Sequence, residues 1–286
     1  MTRRTALSRL GALVAVPLLP GCGEPLRVLD GGGDAGPRGS TDGGAADVPV
    51  RGSTDGGAAD VPVADAGAFR WAAGGTVSMT GAASYPDPFV AAPDPACALT
   101  LPTTRGPCFH TSPERQDVSE LYPGLPMRLT FRILDASCAP VPGARLDIWH
   151  TGNTGLYSGG PIDFCTGADA DAIAHLYFRG SQVSDTGGVV RFDTCFPGAY
   201  DGRALHIHFQ VFPPGSASAS IVSQLFFPQP LIDEIFARHP DYVPHGAPDT
   251  PNASDGIYRS VGPAAIATYE RMDDGAMLAW KDIILG

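Results

Sequence analysis

The sequence has no C-x-x-C pair, no basic stripe, and no apolar run of the roughly 20 residues that a bilayer-spanning helix needs. The first absence argues against a zinc ribbon. The second, in a chain of 286 residues with formal net charge −11, argues against a nucleic-acid partner. The third leaves the membrane reachable only through an attached anchor.

What is present begins with MTRRTALSRLGALVAVPLLPGC. Arg3, Arg4 and Arg9 precede a short apolar run and Cys22, so residues 1–22 read as an export signal. Leu19-Pro20-Gly21-Cys22 resembles a lipoprotein processing site, which would make a lipidated Cys22 the mature N-terminus. Thr2 to Leu7 resembles a twin-arginine signal, a route for proteins already folded. The alternative is a general secretory signal with two adjacent arginines. RGSTDGGAADVPV then occurs at 38–50 and again at 51–63. So little apolar surface does not offset the entropy of ordering. Residues 23–65 therefore read as a flexible, disordered tether rather than a binding repeat. The expected location is outside the cytoplasm, as a periplasmic or cell-surface lipoprotein.

Residues 66–286 are expected to form one all-β domain. Short alternating segments lie between Gly/Pro/Asp turns at 127–134, 144–150, 175–183, 189–196, 204–212 and 223–227, as in an antiparallel sandwich or barrel. LIDEIFARH (231–239), between Pro230 and Pro240, is the helix candidate. The Pro- and Asp-rich tail from 241 is expected to wrap the domain, with IYRSVG (257–262) and AMLAWKDIIL (276–285) as further short strands. Five cysteines follow Cys22: Cys97, Cys108, Cys138, Cys165 and Cys195. In an exported chain they read as disulfides, with one thiol left over. Cys97 with Cys108 would close a small loop.

The chemistry-bearing stretch is PGAYDGRALHIHF, residues 197–209. On a strand, His206 and His208 share one face while Ile207 and Phe209 take the other. Two imidazoles so placed can grip one metal ion. Tyr200 and Arg203 lie just upstream, and Tyr157 sits in the glycine-rich loop at 151–160. A phenol ionises near pH 10, so it becomes a ligand only for a strongly acidic metal, and ferric iron is hard and highly charged enough. The alternative is a zinc or copper site on the two histidines, with the tyrosines as packing.

Three blocks in order resemble the intradiol ring-cleaving dioxygenases, a family that includes catechol 1,2- and protocatechuate 3,4-dioxygenases and exported single-domain relatives. They are Cys138–Ala144 continuing through Asp147-Ile148-Trp149-His150 to Gly155-Leu156-Tyr157-Ser158-Gly159; Phe178-Arg179-Gly180-Ser181-Gln182-Val183; and Phe196–Arg203 with His206-Ile207-His208. The resemblance implies a β-sandwich holding one non-haem Fe(III) through Tyr157, Tyr200, His206 and His208. By analogy Tyr200 and His208 are axial, and Tyr157, His206 and a hydroxide equatorial. It implies a catechol substrate whose ring opens between its two hydroxyl carbons with O2, giving a cis,cis-muconate. Tyr200 would leave the metal and accept a proton, Arg203 would lie beside the ring, and Gln224 would line the pocket. The helical dimerisation segment of catechol 1,2-dioxygenases has no counterpart, and the stretch from Tyr200 to His206 is shorter than in soluble catabolic enzymes. A non-catalytic iron- or catechol-binding sandwich is the rival reading.

The other polar residues read as structural. His150 and His175 are expected to be satisfied structural histidines, His110, His239 and His245 to be surface or loop residues, and Trp149 to be core.

Overall fold

The computed structural model describes residues 69–286 apart from Pro95. The signal, Cys22, the repeat linker and residues 66–68 lie outside the described residues. The described residues form eight strands: β1 Pro126–Leu134, β2 Arg145–Trp149, β3 Arg179–Val183, β4 Val189–Cys195, β5 His206–Phe212, β6 Ile221–Phe226, β7 Thr268–Arg271 and β8 Met277–Ile284. They make two four-stranded sheets, ordered β4-β1-β8-β7 and β3-β2-β5-β6. All neighbours pair antiparallel except β1 with β8, which run parallel.

The inner faces follow from period-2 alternation. Leu129, Phe131 and Ile133 of β1 and Ile207, Phe209 and Val211 of β5 belong to one buried core, with the Phe131 and Phe209 rings 5.6 Å apart. Each such side chain removed from water contributes about 1.5–3 kcal/mol. The second sheet is also covered on its outer face. Residues 103–115 cross it, with Thr103 N–H donating to Val222 O at 2.8 Å and Arg115 N–H to Ser181 O at 3.2 Å. Every residue of β5 is consequently buried, so His206 and His208 face a protein interior rather than solvent.

Several expectations need correcting. The 257–262 segment is not a strand but part of the helix Gly256–Val261, because Asp255 caps it by accepting from the N–H groups of Ile257 and Tyr258. The 175–183 strand begins only at Arg179, since Phe178 has a positive φ of 55° and Ala170–Ala174 is helical. Strand β7 and the short helix Asp163–Thr166 were not anticipated. The 231–239 helix is present as Gln229–Arg238. His239 is fully buried, with its Nε2 bonded to Ala72 O at 2.8 Å, and is not a surface residue. Among the described residues no helix is long and apolar enough to cross a membrane.

The Cys97–Cys108 bridge is also overturned. Cys97 pairs with Cys138 and Cys108 with Cys165, leaving Cys195 as a buried free thiol. Closing a loop of 41 rather than 11 residues costs only about 1 kcal/mol more entropy, so proximity in sequence does not choose the partner. The fold does, by seating Cys97 against Leu134 and Ile284 and Cys108 against Trp149 and Tyr157.

Candidate metal centre

The two histidines are placed by strand register. His208 lies opposite Trp149 on β2 and opposite Gln224 on β6, so these three share the outer face of the sheet. The Trp149 ring stacks on His208 at 4.9 Å and 5°, and a Cβ on Gly106 of the covering segment would sit 3.3 Å from Cε1 of the same imidazole. Trp149 is thus buried as expected, but its role is to fix the His208 plane.

The tyrosines come from two loops that interlock. Tyr157 follows β2 and is pinned by its N–H donating to Cys165 O at 2.8 Å. Tyr200 follows β4. The loops approach so closely that a Cβ on Gly155 would sit 2.0 Å from Ala199 O, and one on Gly198 would sit 2.1 Å from Gly152 O. Real side chains never tolerate such distances, so glycine at both positions is what lets the two phenols meet.

All four expected donors converge. His206 Nε2 is 3.1 Å from His208 Nε2, 3.3 Å from Tyr200 Oη and 3.4 Å from Tyr157 Oη. His206 Nδ1 is 2.7 Å from Ala204 O. A carbonyl only accepts, so the proton is on Nδ1 and the Nε2 lone pair points at the other three atoms. One lone pair cannot accept from three donors together, whereas a cation among the four atoms is served by all of them. The donor set of two phenols and two imidazoles suits a hard trivalent ion. Among the described residues there is no group of three or more His, Cys, Asp or Glu able to hold a metal, so the phenols are indispensable to this one.

Electrostatics distinguish the donors. Burial pushes the Tyr157 phenol well above 10, the nearby Tyr200 adding to it and Arg203 and Arg179 opposing. Burial also raises Tyr200, against its hydrogen bond to Tyr157 and the Arg203 charge. Burial, then the Arg203 charge, lowers His206 to about 3. Burial, then His206, holds His208 well below 6.5. Both imidazoles are therefore neutral and ready to ligate, and both phenols keep their protons until a cation displaces them. Tyr157 is buried while Tyr200 is half-exposed, beside an exposed Phe164 ring 6.4 Å away. The site opens on the Tyr200 side.

Arg203 and Gln224 are brought to the same place. Arg203 Nη2 donates to Gln224 Oε1 at 2.6 Å and its Nε to Asp255 Oδ2 at 2.7 Å. Asp255 was missed from sequence, and nothing local marks it as an arginine partner. The bland readings hold for His150, which is buried between Thr151 O and Thr194 Oγ1, and for the exposed His175 beside Asp171.

The chain is similar to known dioxygenases. A dioxygenase family model, Dioxygenase_C, matches residues 103–243. A chlorocatechol 1,2-dioxygenase of Rhodococcus opacus is 29% identical over 136 residues, which is 41% of this chain and 48% of that protein. The alignment thus spans less than half of that relative's own length. An intradiol ring-cleavage dioxygenase structure from Tetranychus urticae superposes with TM-score 0.59 at 25% identity, covering 66% of this chain and 95% of that one. A second dioxygenase structure superposes with TM-score 0.58 at 26% identity and the same coverage.

Proposed function

We propose that the domain carried by this chain is an intradiol ring-cleavage dioxygenase that opens the ring of catechol-type substrates between the two hydroxyl carbons with O2, on one non-haem ferric ion, giving cis,cis-muconate-type products. The observation that carries this reading is the convergence of Tyr157, Tyr200 and His208 within 3.4 Å of His206 Nε2. When bound, a ferric ion supplies the Lewis acidity that favours the ionised diol and the electronic coupling that opens it to O2.

The chain's own groups have separable parts in this proposal. His206, His208 and Tyr157 are buried and hold the centre. Tyr200, on the solvent side, is the phenol free to swing away as substrate enters, and its Oη receives a diol proton. Arg203 is held by two hydrogen bonds before substrate arrives. Its fixed positive charge therefore faces developing negative charge on the ring without reorganising. The covering segment and the buried Trp149 shield the His208 side from bulk solvent. We extend the proposal to location: residues 1–22 direct export, and the 23–65 repeat tethers the domain outside the cytoplasm.

The test is oxygen uptake by iron-loaded protein with catechol, protocatechuate and hydroxyquinol. Consumption of O2 with loss of the aromatic chromophore, by a protein coloured through phenolate-to-iron absorption, is the expected result. Coloured protein with no uptake on any diol would leave a binding sandwich. Colourless protein carrying zinc or copper would return the tyrosines to packing roles.

A further inference from the structure

The sheet face that carries the candidate centre continues away from it in a second row. Trp149 and His208 are paired across β2 and β5, and the next pair on the same face is Asp147 and Gln210. All four residues are at most 6% exposed. Each also has one buried polar atom with no hydrogen-bond partner in the protein: Trp149 Nε1, His208 Nδ1, Asp147 Oδ1 and Gln210 Oε1. These are half of the eight such atoms found among the described residues, and they sit on four side chains that adjoin by register.

Their chemistry is complementary. Trp149 Nε1 can only donate. His208 Nδ1 carries a proton whenever Nε2 presents its lone pair to the centre. Gln210 Nε2 donates to Asp147 Oδ2 at 2.9 Å, which turns the amide so that Oε1 is the free atom, an acceptor like Asp147 Oδ1. Arg145 Nε comes within 3.3 Å of Asp147 Oδ1 without hydrogen-bond geometry, so this oxygen still has lone-pair capacity. Two donors therefore face two acceptors across one step of the sheet. The one direct hydrogen bond between these side chains is that from Gln210 to Asp147, and none of the four remaining atoms finds a protein partner. Each group left unpaired in a dry interior costs about 1–3 kcal/mol. A water molecule accepts two hydrogen bonds and donates two, and buried waters typically take two to four polar partners.

We infer that one buried water bridges these four side chains, accepting from Trp149 Nε1–H and His208 Nδ1–H and donating to Asp147 Oδ1 and Gln210 Oε1, and that through it Asp147 positions His208. The inference rests on the reading of His208 as a ligand. Asp147 is a positioning residue that never touches substrate. Its carboxylate holds the imidazole in the Nδ1–H tautomer, keeps Nε2 turned to the centre and makes that nitrogen a stronger donor. The Trp149 stack fixes the ring plane, and the water fixes the rotation within it. Arg179 Nη1 and Thr103 Oγ1, also unpartnered, flank this arrangement on the β3 and β6 sides.

Two measurements test it without turnover. A crystal structure of the metal-free protein at a resolution that shows ordered water should place one peak within about 3.2 Å of all four atoms. A dry gap, or the four atoms paired to protein groups, overturns the bridge. Nitrogen-15 NMR of the same protein should find His208 as the Nδ1–H tautomer, shifting toward a mixture in Asp147→Asn. Iron-loaded Asp147→Asn and Trp149→Phe should lose iron to a chelator with about 10- to 100-fold weaker apparent affinity and a displaced visible band. Circular dichroism identifies any variant that fails to fold, and the wild-type crystal and NMR measurements decide in that case. Unchanged tautomer, band and iron retention in folded variants overturn the positioning role. A wild-type protein that binds no iron would instead sink the dioxygenase reading and leave the water and tautomer results standing.

Discussion

Arg203 and Asp255, 52 residues apart in the chain, are joined by a 2.7 Å bond from Nε to Oδ2. The same carboxylate oxygen accepts from Ala204 N–H at 2.9 Å, and the other oxygen caps the Gly256–Val261 helix. One buried group thus aims the arginine, holds the entry to β5 and starts a helix. Asp255→Asn retains capping ability but leaves the guanidinium without its anion. Its turnover is expected to fall about 10- to 100-fold, as for a catalytic group displaced by an ångström, with iron content unchanged. Oxygen uptake alongside metal analysis checks this. Asp255→Ala should lose a further ~1 kcal/mol of stability with the cap.

Acid should destabilise the metal-free protein through its buried imidazoles. Burial lowers His150 to about 4 and His206 to about 3, and holds His208 well below 6.5. The unfolded chain binds protons at these histidines near pH 6.5 while the folded chain does not. Their contribution is therefore complete above pH 6.5 and is lost as pH falls toward the folded values. Each fully engaged histidine should steepen the loss by about 1.4 kcal/mol per pH unit. Urea unfolding between pH 7 and pH 5 gives the slope, and His150→Gln should reduce it.

The Cys108–Cys165 bridge ties the segment lying on His208 to the helix whose Cys165 carbonyl receives the Tyr157 N–H. The chain-entropy model for a 57-residue separation gives about 4 kcal/mol of stabilisation. A Cys108→Ser/Cys165→Ser variant is expected to lose stability on that order and to release iron faster. Cys97→Ser/Cys138→Ser, in a cluster that holds none of the four donors, should lose stability without the faster release. Thermal unfolding and chelator kinetics on both variants separate the two effects.

Gly198→Ala should drive apart the loops that carry Tyr157 and Tyr200. The added Cβ would meet Gly152 O at 2.1 Å, and overpacking of this kind typically costs about 1–3 kcal/mol. Weakened visible absorption in iron-loaded protein, together with a lowered Tm, is the expected outcome. At Gly202, where a Cβ meets nothing within 4 Å, alanine should leave the band in place, any effect coming only from its positive φ.

Much of this was legible because strands announce themselves by alternation. HIHFQVF put His206 and His208 on one face, and the structure keeps them there. What the pattern could not show is that the polar face is buried as well, because the segment covering it lies a hundred residues earlier. For the same reason Trp149 read correctly as core while its stacking on His208 went unseen. IYRSVG is expected as a short strand, yet a single capping aspartate starts a helix there. Gln224 came from resemblance and proves to hold Arg203. Asp255 had neither periodicity nor resemblance to mark it, and a long-range ion pair leaves no trace in local sequence.

The parallel pairing of β1 with β8 has a consequence for biogenesis. β8 spans residues 277–284 and lies between β1 and β7, in the interior of its sheet. While a ribosome is still making the chain, β1 must wait with one hydrogen-bonding edge bare until this late segment emerges. The sheet bearing the histidines can zip up earlier, but it has no complete partner layer to rest on. Maturation is therefore an all-at-the-end event, and a nascent chain halted shortly before residue 277 would be recognised by chaperones and proteases as unfinished.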